Sequence, residues 1–205
     1  MISINIENNK LSEERNSITV TYPRTVSLIF GHYPYIEDIH NLMIDIKNNV
    51  DVKMKNYTNV KGGMTSWTHF LDKPLFSKFL TFIINKHQIT HPHLFQYFYE
   101  KNYVNDAWGN EIKTGDRLNY HVHHHHHGIL YLTEGCDLIL PELNIKITPQ
   151  PGDYYIFPPH VRHGFEEYTG KNNRYSLVFD FDQRKGFDFE KKQNDYLQLQ
   201  NRKKS

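Results

Sequence analysis

Hydrophobic positions follow two different rhythms along this chain. Ile36, Ile39, Met43 and Ile46 recur at a helical spacing, with Glu37 and Asp38 near the start where a helix favours negative charge. Leu75, Phe79, Leu80, Ile83 and Ile84 form one stripe, and Pro74 suits a first turn, which predicts a helix over Pro74–Lys86. Around these helices the pattern is extended. Ile18–Phe30 is rich in Val, Ile and Thr and is broken by Pro23, so it reads as two short strands or one interrupted edge strand. Val50, Val52 and Met54 alternate with charged residues and predict a strand. Asn59–Trp67 is turn-rich around Gly62 and Gly63, His91–Tyr103 fits helix or strand equally, and residues 1–17 form a polar lead-in or edge strand.

After Trp108 turn signals come every 8–12 residues, the rhythm of an all-β sandwich or barrel. The expected strands are Leu118–His123, Gly128–Thr133, Asp137–Leu140, Asn144–Ile147, Asp153–Phe157, His163–Tyr168 and Arg174–Phe181, with a strong turn at Pro149–Asp153. The expected architecture is a helical N-terminal half packed on a small β-barrel. Residues 1–182 read as one domain with its motif-bearing core over 105–182, and residues 183–205 read as a polar tail.

Composition narrows the classes. A chain 38% hydrophobic and 23% charged suits a globular protein, and 14 Tyr with 13 Phe supply core bulk. A net charge of +1 makes no electrostatic case for nucleic acid or a membrane surface. The single Cys136 makes no internal disulfide, the start lacks the basic and apolar regions of a secretory signal, and no run approaches the ~20 apolar residues of a spanning helix. A cytoplasmic protein is expected.

The chemistry is concentrated in histidine. Residues i and i+2 of a strand share a face, so His121 and His123 can project together, with His163 as a third ligand. Three imidazoles leave positions open on a metal, as a catalytic site needs. Downstream, Arg174, Ser176 and Val178 share a strand face, and a guanidinium fork beside a hydroxyl is suited to grip a carboxylate. His124–His127 reads as a solvated loop lip, His160 as loop structure, and Cys136 as a small hydrophobe with no base placed to activate it.

Trp108-Gly-Asn110, Gly115-Asp116, His121-Val-His123, Gly128–Leu132, Pro151–Pro159, His163 and Arg174-Tyr-Ser176 together resemble the iron(II)- and 2-oxoglutarate-dependent oxygenases, in a prolyl-hydroxylase-like branch common in phages and marine bacteria. The resemblance covers 105–182, with a weaker match at Asn59–Trp67. It implies a mainly β fold with α elements, a double-stranded β-helix (jelly-roll, cupin-like) core with N-terminal helices packed on it. It also implies Fe(II) held by His121, His123 and His163, and 2-oxoglutarate gripped at its far carboxylate by Arg174 and Ser176. Tyr131 joins that grip if no bulge separates it from the face of His123. Molecular oxygen and a small-molecule or peptide substrate complete the implied partners. The chain departs from the family at His123, where a carboxylate ligand is usual; either the triad is all histidine, or a nearby carboxylate such as Glu134 substitutes.

The same residues also approximate both cupin motifs, with His127 near the usual glutamate position. A cupin-type enzyme without 2-oxoglutarate, or a non-catalytic jelly-roll that binds a metal or ligand, are the alternatives. For single residues the plainer readings are a packed aromatic for Tyr131, core tryptophans for Trp67 and Trp108, and a salt-bridged arginine for Arg174.

Overall fold

The computed structural model describes residues 17–21, 25–51, 59–90 and 104–181. Eleven strands and two α-helices are found there: β1 (Ser17–Thr21), β2 (Thr25–His32), α1 (Ile36–Asn49), β3 (Gly63–Met64), α2 (Pro74–His87), β4 (Val104–Ile112), β5 (Leu118–His121), β6 (His126–Tyr131), β7 (Leu138–Leu140), β8 (Ile145–Ile147), β9 (Asp153–Phe157), β10 (His163–Phe165) and β11 (Arg174–Phe181). They form a seven-stranded antiparallel sheet in the order β1-β2-β9-β6-β11-β4-β3 and a four-stranded sheet in the order β5-β10-β7-β8. Two facing antiparallel sheets with helices against the outer face of the larger one make a jelly-roll core.

The large sheet is buried on both faces, and β11 shows how one strand serves two environments. Tyr175, Leu177, Phe179 and Phe181 join Ile39, Leu42 and Ile46 of α1 and Phe76, Phe79 and Ile83 of α2 in one core. Their alternates, Arg174, Ser176, Val178 and Asp180, face the other way and are also buried. A second core of Leu28, Phe30, Tyr131, Tyr155 and Phe157 packs against Leu138, Leu140, Ile145 and Ile147 of the small sheet. Gly109 on β4 makes close packing on the helix side possible, because a Cβ there would collide with Ile46.

α2 ends one residue past its expected span, and α1 starts at Ile36 as expected and runs three residues past Ile46, because each has an apolar stripe and a sheet to bury it on. Four expectations are corrected. The N-terminal half is not only helical: β1 and β2 extend the large sheet, and β2 sits between β1 and β9 rather than at an edge. The turn-rich segment before Trp67 contributes β3, which pairs with β4. β4 itself, Val-Asn-Asp-Ala-Trp-Gly-Asn-Glu-Ile, is a nine-residue strand that the pattern did not announce. It carries four acidic or amide residues, Asn105, Asp106, Asn110 and Glu111, and it lies between β11 and β3 with burial on both faces, so no polar-apolar alternation marks it. Finally, β5 stops at His121, so His123 lies past the strand end. The expected strand through Val52 and Met54, the ambiguous segment His91–Tyr103, most of the lead-in and the tail lie outside the described residues.

Candidate metal and carboxylate site

The two sheets converge on the histidines. His121 ends β5 and is the cross-strand partner of His163, the first residue of β10. Directly opposed strand residues stand close enough for their side chains to meet, and the two rings lie 4.6 Å apart. His123 follows on the chain leaving β5, where the backbone N–H of His160 donates to its carbonyl at 2.9 Å. His160 adopts a left-handed φ of 67° after Pro158-Pro159; its exposed side chain is not what positions the site. The metal-ligating atoms of His121, His123 and His163 all lie within 4.8 Å of one another.

The partners of these rings determine where their protons sit. His121 Nδ1 is 2.9 Å from the Asn119 carbonyl, and His163 Nδ1 is 3.0 Å from the Val161 carbonyl. His123 Nδ1 is 3.0 Å from Asp180 Oδ2, and His127 Nδ1 is 2.6 Å from Asp180 Oδ1. Carbonyl and carboxylate oxygens only accept, so each Nδ1 donates and each neutral Nε2 is left as a bare lone pair. Yet His121 Nε2 and His123 Nε2 are only 3.0 Å apart. Two lone pairs at that distance repel unless a cation lies between them. Two nitrogens each about 2.1 Å from one ion at a right angle would stand about 3.0 Å apart, so the donor set fits a metal.

Burial favours the uncharged form of His163, His121 and His127, the form in which an imidazole binds a metal. It lowers His163 well below its ordinary value, helped by His127 and His121, and it lowers His121, helped by His123. His127 is pushed down to about 4 by burial and His123, against the opposing pull of Asp180. Burial alone would raise Asp180, but His127 and the hydrogen bonds from both rings hold it well below the usual carboxylate range.

At the other end of the same inter-sheet space lie Arg174 and Ser176, each 2% exposed. Ser176 pairs across the sheet with Tyr131 of β6 on one side and Asn110 of β4 on the other. The Arg174 guanidinium lies 4.7 Å from the Tyr131 ring centre and 5.0 Å from that of Phe165. Its Nε has no hydrogen-bond partner, and neither does Asn110 Oδ1. Buried polar atoms are rarely left so, and an anionic ligand would satisfy the guanidinium. Burial pushes the Tyr131 hydroxyl up to about 12 although Arg174 opposes it, so the group remains a donor. The residues from both ends line one narrow cavity of about 40 Å³, room for two or three waters. A five-carbon diacid enters only if lining side chains move apart.

The structure thus brings His121, His123 and His163 together at one end and Arg174, Ser176 and Tyr131 at the other. Three readings change. Tyr131 does not share a strand with His123; it lies on the β6 face that carries His127 and Ile129. His127 is no part of a loop lip, because β6 begins at His126 and turns His127 inward, where it stacks on His123 at 3.7 Å between ring centres. Glu134 is exposed on a separate cleft with Cys136 and Lys146; the carboxylate beside the histidines is Asp180. Asp180 was within reach of the sequence: one more step of two along the Arg174, Ser176, Val178 face arrives at it.

No protein-family model matches the chain, and no curated protein matches it. Among solved structures it is similar to a Pseudomonas putida prolyl-4-hydroxylase, with 14% identity and a TM-score of 0.57 over 77% of this chain and 93% of that one. It is also similar to HygX from Streptomyces hygroscopicus, solved with nickel and 2-oxoglutarate bound, with 8% identity and a TM-score of 0.51 over 76% and 82% of the two chains. At such identities the likeness is one of fold, and it agrees with the jelly-roll described above.

Proposed function

We propose that this chain is an iron(II)- and 2-oxoglutarate-dependent dioxygenase that hydroxylates a protein side chain or a small molecule, with release of succinate and CO2. The supporting observation is the pairing of two unsatisfied features in one cavity: bare imidazole lone pairs at one end and a buried, incompletely partnered guanidinium at the other. His121, His123 and His163 hold the metal. Arg174 and Ser176 bind the far carboxylate of 2-oxoglutarate, with the Tyr131 hydroxyl beside them. When bound, iron(II) supplies oxygen activation coupled to oxidative decarboxylation of the diacid.

The chain's own contribution is placement. Fixed acceptors on each Nδ1 keep the ligand nitrogens aimed inward, and the apolar walls of Ile129, Leu138, Phe157 and Val178 exclude water. Sharing a fold with a protein solved with 2-oxoglutarate is compatible with this reading. The buried His127 favours a second one, a cupin-type metal enzyme that uses four imidazoles and no 2-oxoglutarate. Iron-loaded protein incubated with 2-oxoglutarate under air separates the two. Succinate release that is lost in the His163→Ala variant supports the dioxygenase; metal binding without any diacid consumption supports the cupin-type enzyme.

A further inference from the structure

The triad contains no anionic ligand, yet a carboxylate lies one bond removed from it. Asp180 is 8% exposed, and each of its oxygens accepts from a different imidazole: Oδ2 from His123 at 3.0 Å and Oδ1 from His127 at 2.6 Å. The position follows from register. Asp180 is the cross-strand partner of His127 between β11 and β6, so its carboxylate meets that ring at the foot of the row that also carries Arg174 and Ser176. The two rings stack at 3.7 Å with planes 26° apart, so both face the carboxylate with Nδ1 and direct Nε2 away from it. Trp108 flanks the stack, at 6.5 Å from His123 and 6.1 Å from His127.

We propose that Asp180 is a positioning residue that locks His123 and His127 as Nδ1–H tautomers and supplies through them the negative charge that a carboxylate ligand would otherwise bring. A carboxylate behind a ligating imidazole fixes the ring and strengthens the nitrogen as a donor. His127 thereby becomes a fourth imidazole of fixed tautomer, its ring 3.7 Å from that of His123 and 4.9 Å from that of His163, and Asp180 is what fixes it. The chemistry is specific to a group with two acceptor oxygens. An amide at this position accepts with one atom and presents N–H to the other ring, which must then move its proton to Nε2 and lose its lone pair.

The inference rests on the metal-binding half of the proposed function, and its test does not require turnover. The full chain, loaded with diamagnetic zinc(II) and ¹⁵N-labelled in its histidine rings, is examined by NMR as wild type and as Asp180→Asn, with thermal unfolding as the folding control. The wild type should show both His123 and His127 protonated at Nδ1 and without a proton at Nε2. In Asp180→Asn one of the two should switch to Nε2–H, and affinity for cobalt(II) should fall by about 10- to 100-fold. Asp180→Glu should restore part of that affinity. Nε2–H tautomers in the wild type overturn the proposal even if no variant folds. So does an Asp180→Asn protein with both tautomers unchanged, whether or not cobalt(II) binding is lost. Failure to release succinate with the tautomers as expected would instead sink the oxygenase reading and leave this one standing.

Discussion

Replacing Arg174 by methionine should separate binding from stability. The guanidinium is buried against the rings of Tyr131 and Phe165, and its Nε lacks a partner. Removing one side of a buried, hydrogen-bonded charge pair costs about 2–5 kcal/mol of binding. Since about 1.4 kcal/mol is tenfold, the affinity for 2-oxoglutarate should fall by about 30-fold at least and by as much as a few thousand-fold. Stability should move differently. Exchanging a buried charged group for an apolar one of similar size is often neutral or stabilising by about 1–4 kcal/mol, against the loss of two ring contacts worth about 0.5–2 kcal/mol each. The two nearly cancel, so the unfolding temperature should stay within a few degrees of wild type. Calorimetric titration of the metal-loaded protein with 2-oxoglutarate, alongside thermal unfolding of the metal-free protein, reads both. Unchanged affinity together with a large drop in unfolding temperature would make Arg174 a structural residue and refute the carboxylate grip.

Other expectations follow from the same geometry. Replacing His124, His125 and His126 together by alanine should leave one tight cobalt(II) site by equilibrium dialysis, whereas His163→Ala should abolish it; the opposite pattern would move the site to the loop. Gly109→Ala should destabilise by about 1–3 kcal/mol in urea unfolding because its Cβ meets Ile46, and Ile46→Val should recover part of the loss; an unchanged midpoint would refute the close packing. Asp45 clips α1 to the segment before α2 through His69 Nε2 at 2.7 Å and Lys73 Nζ at 3.2 Å. Burial would raise its carboxyl, but those two partners hold it below the ordinary value, so its stabilisation exists above about pH 4 and fades as pH falls through the folded-state value. Asp45→Asn should therefore be about 1 kcal/mol less stable near neutral pH and equal to wild type in strong acid; a gap constant across that range would contradict the assignment.

How much of this was legible beforehand depended on whether the signal was local. The stripe Leu75, Phe79, Ile83 announced α2, and the break at Pro23 left two short strands or one interrupted edge strand, of which the structure forms β1 and β2, because periodicity and a missing N–H act within a few residues. β9 and β11 were legible for the same reason. β4 was not: with Trp108 and Asn110 facing the cavity while Ala107 and Gly109 face the helices, both sides are buried and the polar-apolar contrast vanishes. The Arg174, Ser176, Val178 row is readable from period two alone, and the same step of two past Val178 arrives at Asp180. His127 lay hidden in a run of five identical residues, where composition carries no register; only the start of β6 at His126 distinguishes it from its neighbours. The coupling of His123 to Asp180 joins positions 57 apart and depends on strand pairing that no local pattern encodes.

A crystal of the full chain soaked anaerobically with iron(II) and 2-oxoglutarate tests the central claim most directly. One iron peak in anomalous scattering, about 2.1 Å from Nε2 of His121, His123 and His163, with the far carboxylate of the diacid on Arg174 and Ser176, is the predicted result. Iron held only by His124–His126, or a diacid bound away from Arg174, would contradict it.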